Sequence, residues 1–272
     1  MSLYFSEIFN VDPNELEAYG ALDVSLINDI PVFVDPFLLF NSEDSDYRAL
    51  HQEIVQYLSF LRDMARKPGL NEGLLEEWFF FREVKQNWLG FSLIGNGGRG
   101  LGPDFAKSLY NNLHTVLSNF GDEEITTGSH LEKLCLIKEG VGKDSISDFT
   151  TNLIKRYLLE YTQTFAQKYL GEDAVKEVTV PRVEFNYKTR TWVSRKYLLP
   201  YYNGDYIILT PKDILAREET WINHPDMFDK FSSVLVSVSD EQMRARLNQY
   251  FLSQLPPPEY TKRGKQKKLS DK

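Results

Sequence analysis

SISDFTTNLIKRYLLEYTQTFAQKYL, residues 145–170, runs directly into GEDAVKEVTVPRVEFNYKTRTWVSRKYLLPYYNGDYIIL, residues 171–209, and the change of rhythm between them decides the fold class. In the first stretch Ile146, Phe149, Leu153, Tyr157, Tyr161 and Phe165 recur three or four residues apart, which predicts one helix over 145–170. Ser145 with Asp148 three residues on has the pattern of a capping box. In the second stretch, 178–187, 191–199 and 206–209 alternate apolar and polar positions as strands do, and Asn203-Gly204-Asp205 is a hairpin turn. A helical period giving way to a strand period within one chain predicts an α+β fold, with a soft boundary near Gly171.

Upstream, Tyr47, Leu50, Ile54, Leu58 and Leu61 predict a helix over 46–67, stopped by Pro68-Gly69. Residues 22–40 suggest two short strands turning at Asn28-Asp29, with Pro36 barring a central strand from continuing. The aromatic run over 79–86 reads as another strand. Residues 95–102 form a glycine loop before a helix over 103–119, striped by Phe105, Leu109, Leu113, Val116 and Phe120. Residues 130–137 are a short apolar stretch, helix or strand, and 240–255 read as a closing helix capped by Asp240. The expected architecture is a mixed sheet flanked by helices, with a helical middle segment and a strand-rich C-terminal third. It is a single domain over 1–255, followed by the spacer Pro256-Pro257-Pro258 and a basic tail that reads as disordered.

Among 272 residues no apolar run reaches the ~18 to 20 needed to span a bilayer, and the first residues lack the basic-then-apolar order of a secretory signal. The single cysteine, Cys135, excludes an internal disulfide. A cytoplasmic protein with no membrane partner is the expectation. Residues 261–272 hold six Lys/Arg against one Asp, a net +5 that leaves −13 on the rest of a chain whose total is −8. An acidic body excludes a broad grip on nucleic acid and allows a local one. His51, His114, His130 and His224 are scattered without zinc-ligand spacing.

The chemistry-bearing segment is WFFFREVKQNWLGFSLIGNGGRGLGPDFA, residues 78–106. On a strand, Glu83 and Lys85 project to one face, where a carboxylate seats a divalent metal and an ammonium orients water or holds the phosphate. Asp35, in VFVDP, is the best-placed second metal ligand beside Glu83. Gly95, Gly97 and Gly100 fit G-x-G-x-x-G ahead of a helix, a loop whose amides suit a phosphate, with Arg99 as a bidentate donor. A second set draws on Asp144 and Asp148, spaced four apart at a helix start, with Glu184 and Lys188 on one strand face. Helix capping accounts for the aspartates, and simple alternation for the strand, without any function.

The FFFREVKQ string resembles the (D/E)-x-K signature of the PD-(D/E)xK nuclease superfamily, with Glu83 and Lys85 at the matching positions. LPYYNGDYIILTPKDIL and EVKQNWLGFSLIGNGGRGLG resemble a group of bacterial proteins tied to anti-phage or restriction-like defence. That resemblance implies a subunit working with an ATPase or helicase partner, followed by a further C-terminal region. The expected function is a defence-associated nuclease, or nuclease-like subunit, acting on DNA with Mg²⁺, its metal on Asp35 and Glu83. The alternative is a non-catalytic structural or sensor subunit that docks other protein subunits through aromatics such as Trp78, Trp88 and Trp192. A nucleotide sensor built on the glycine loop is a third reading.

Overall fold

The shift of rhythm at Gly171 is where the helices stop and the longest hairpin starts. The computed structural model describes residues 4–67, 69–90, 103–116 and 143–217. The chain divides into the units Met1–Asp229 and Lys230–Lys272, and every described residue belongs to the first. The stretches expected over 130–137 and 240–255, and the basic tail, lie outside the described residues.

The element order is α1 (Phe5–Phe9), α2 (Pro13–Tyr19), β1 (Val32–Val34), α3 (Pro36–Asn41), α4 (Ser45–Ala65), α5 (Glu72–Phe79), α6 (Pro103–Val116), α7 (Lys143–Leu153), α8 (Lys155–Tyr169), β2 (Val175–Asn186), β3 (Thr191–Tyr202), β4 (Asp205–Tyr206) and β5 (Leu215–Arg217). This is an α+β fold with its strands concentrated in the C-terminal part. Two antiparallel sheets are built from the described strands, one of β1 and β5, the other in the order β2-β3-β4. Asn203 and Gly204 both have positive φ, at 49° and 89°, as the Asn-Gly turn between β3 and β4 requires. Among the described residues, no helix is long and apolar enough to cross a membrane.

Short polar caps start the N-terminal helices. Asp12, Asp35, Asp44 and Asn71 each accept a backbone N–H from the first turn of α2, α3, α4 and α5, and Pro13 and Pro36 sit in those first turns. α8 lies along β3, and α7 on β1. Beneath α8, Phe165 joins Phe5, Leu16, Val24, Ile207 and Leu209 in a buried cluster. A second set of rings, Tyr57, Phe81, Phe149, Phe185 and Trp192, links α4, α7 and the hairpin, with Phe81 and Phe149 4.3 Å apart. Each such ring contributes roughly 1.5–3 kcal/mol by leaving water.

Four expectations need correction. Residues 79–86 form no strand: α5 runs through Phe79, the chain is irregular to Val84, and Lys85–Asn87 is a single 3-10 turn. Leu75, Trp78 and Phe79 are spaced for a helix, and the Asn71 cap decides the matter; aromatic content alone suggested a strand. The helix expected over 145–170 begins earlier, at Lys143, so Ser145 lies inside it and not at its N-cap position; it then breaks at Ile154. Thr150 Oγ1 donates to the Ile146 carbonyl at 2.7 Å and Asn152 Nδ2 to that of Asp148 at 2.8 Å, back-bonding that bends helices. Within 22–40 only Val32–Val34 is a strand, and Pro36 opens α3. Its partner β5 lies some 180 residues away in sequence, in register Phe33↔Ala216.

Candidate functional site

The irregular loop after α5 forms one wall of a cleft of about 580 Å³, which Glu83 and Lys85 both line. Asn152 and Lys155, from the break between α7 and α8, form the second wall. Pro181 and Arg182, where β2 bulges, form the third, and Tyr206 of β4 also lines the cleft. The end of α5 and the loop are held in place by a buried bond and a part-buried one: the Tyr57 hydroxyl donates to the Trp78 carbonyl at 2.8 Å, and Asn152 Nδ2 to the Arg82 carbonyl at 2.7 Å.

Arg182 stands at the register shift between Val180 and Glu184, with φ at 53°. That bulge turns its guanidinium onto the end of α5, where it donates to the Glu77 carbonyl at 2.8 Å, the Phe80 carbonyl at 3.2 Å and Glu77 Oε2 at 3.2 Å. These carbonyls are among those a helix leaves unpaired at its C-terminus. The same guanidinium lies 4.9 Å from the centre of the Trp192 ring, whose backbone and indole N–H groups donate to Glu77 in turn. Arg182 is thus a structural clamp that also faces the cleft. Burial lowers its pKa, with the Tyr57 and Glu77 charges opposing.

Three cations of the cleft have a carboxylate partner. Arg82 pairs with Glu76 at 3.9 Å, Lys85 with Asp205 at 3.5 Å, and Arg182 with Glu77 at 3.2 Å. Lys155 differs. It is only 8% exposed, its Nζ donates to the Pro181 carbonyl at 3.2 Å, and among the described residues no carboxylate pairs with it. Burial, with the Arg182 charge adding to it, lowers its pKa to about 8. An isolated buried ammonium is costly, and an anion entering the cleft removes that cost.

The remaining expected site residues are dispersed. Asp35 caps α3 by accepting from the Phe37 N–H at 2.9 Å, burial raises its pKa, and it does not line the cleft with Glu83 and Lys85. Gly95, Gly97, Arg99 and Gly100 lie outside the described residues. Asp144 is in the first turn of α7, and Asp148 is half-buried further along it. Glu184 accepts from Arg195 at 2.5 Å and lines a separate hollow of about 190 Å³. Lys188 is exposed in the turn after β2, so the strand face expected to carry it with Glu184 ends too early. Among the described residues, no group of three or more His, Cys, Asp or Glu is arranged to hold a metal ion.

Lys155 and Arg182 were the residues to find. Lys155 follows Thr151 by four positions and precedes Leu158, Leu159 and Thr162 on the buried face of α8. A cation interrupting that inward face is a legible sign. Pro181-Arg182 breaks the alternation of β2, the usual mark of a bulge. No curated protein and no solved structure matches the chain. Residues 10–223, most of its length, match the family described as Domain of unknown function (DUF8370), and the chain belongs to that family.

Proposed function

We propose that this chain is a phosphate-binding subunit, acting in a bacterial defence complex, whose cleft holds the backbone of DNA. The observation that carries the proposal is Lys155, a buried ammonium with a carbonyl for a partner and, among the described residues, no carboxylate. A phosphate oxygen accepts strongly from ammonium and guanidinium groups. The half-exposed Phe80, with Arg82 5.7 Å from its ring, adds an aromatic and cationic rim of the kind single strands use. One cleft on an acidic body suits a local hold on a few phosphates.

Fluorescence anisotropy of a labelled single-stranded oligonucleotide tests this. Lys155→Met is expected to weaken binding about ten-fold or more, the size of one charge-assisted hydrogen bond. Lys188→Met, outside the cleft, is expected to leave binding unchanged. Equal affinities for wild type and Lys155→Met overturn the proposal.

A Mg²⁺-dependent endonuclease is the second reading, favoured by Glu83 and Lys85 lining the same cleft. It predicts plasmid cleavage with Mg²⁺ or Mn²⁺ that Glu83→Ala and Lys85→Ala abolish. Equal activity in all three proteins removes it.

A further inference from the structure

Lys155 combines features that suit a nucleophile as well as an anion site. Its amine is buried, has no carboxylate partner among the described residues, feels the Arg182 charge and lines, with Arg182, a cleft large enough for a nucleotide-sized ligand. Desolvation and a neighbouring cation are the two devices that convert a lysine into a free amine near neutral pH. The hydrogen bond to Pro181 completes the arrangement: a neutral amine still donates one N–H to that carbonyl while its lone pair stays free.

We propose that Lys155 Nζ forms a reversible imine with the aldehyde of a phosphorylated ligand held in this cleft, an inference that rests on the phosphate-binding reading. The Nζ lone pair attacks the carbonyl carbon, and the C=O π pair moves to oxygen, which takes up a proton. That proton comes from the attacking nitrogen; a second one from solvent lets the hydroxyl leave as water while the nitrogen lone pair forms C=N, and hydrolysis reverses every step, so no oxidant or reductant is involved. The protonated imine carries the same charge as the ammonium it replaces, so the ligand phosphate keeps its partner. Two sources offer this chemistry, the open-chain deoxyribose of an abasic site in DNA and a free sugar phosphate.

The test is reductive trapping on the full chain. Glyceraldehyde 3-phosphate and, separately, an oligonucleotide with one abasic site are incubated with sodium cyanoborohydride, and adducts are mapped by peptide mass spectrometry. Lys155 is expected to gain the mass of the aldehyde less one oxygen, at about ten times the yield of any other lysine, with inorganic phosphate suppressing it. Trapping with one probe alone identifies the source. Lys155→Arg, which keeps the charge and lacks the nucleophile, is expected to bind the intact oligonucleotide and give no adduct at residue 155. Lys155→Met, checked for folding by circular dichroism, is expected to lose both. Adducts spread evenly over the lysines, or an unmodified Lys155 in a protein that still binds the oligonucleotide through Lys155, overturn the imine alone. Binding that ignores Lys155→Met overturns the phosphate reading with it.

Discussion

Two buried titratable side chains, both with lowered pKa values, make stability rise with pH in two separate windows. Lys155 ionises near 8 in the folded chain against 10.5 when solvated. Between those values the unfolded chain holds a proton that the folded chain has released, so stability is expected to rise with pH across that window. Oligonucleotide affinity is expected to fall over the same window, because the ammonium is what binds. Urea titrations and anisotropy from pH 7 to 10.5 would reveal the crossing, and Lys155→Met should flatten both curves. His51 works at the acid end: it is 7% exposed, its Nδ1 has no hydrogen-bond partner among the described residues, and burial holds its pKa below the ordinary 6.5. Its contribution is complete above pH 6.5 and is lost as pH falls toward its lowered value, since only the unfolded chain accepts the proton there. His51→Leu is expected to reduce the acid-side slope of the urea midpoint.

At the scale of elements, legibility followed the strength of the periodic signal. α4 and the β2-β3 hairpin stood out because each repeats its period several times. α5 is hard to read because eight residues give a helix barely two turns, and its aromatics suggest a strand as readily. The break at Ile154 was hidden because the apolar stripe continues across it; threonine and asparagine side chains bend the backbone without changing the pattern. That break sets Asn152 against the Arg82 carbonyl, so Asn152→Ala is expected to cost about 1–3 kcal/mol and to speed hydrogen exchange over residues 80–90. Arg182→Ala is expected to cost about 3 kcal/mol in urea melts, because it frees carbonyls at the end of α5 and strands Glu77. Of the residues first singled out, Glu83 and Lys85 do reach the cleft, by way of a loop instead of a strand, whereas Asp35 and Glu184 serve as a helix cap and a surface ion pair.

Across the whole described unit, the pairing least visible in the sequence is β1 with β5. Three residues on each side are too few to show a period, and their separation leaves no local turn signal. This pair joins the early and late parts of the chain, and Phe33 within it is fully buried. Phe33→Ala is expected to destabilise by about 3–5 kcal/mol in a single cooperative transition. A separate unfolding of the β2-β3 hairpin would show that the two sheets are energetically independent.

The stacking of Arg182 on Trp192 gives the cleft an optical reporter of its own. Indole emission responds to a cation over its face, and an anion that draws the guanidinium away would change the intensity and wavelength of that signal. Titrating inorganic phosphate while exciting tryptophan would then follow occupancy with no dye attached, and Trp192→Phe would silence the response while leaving the amine wall untouched.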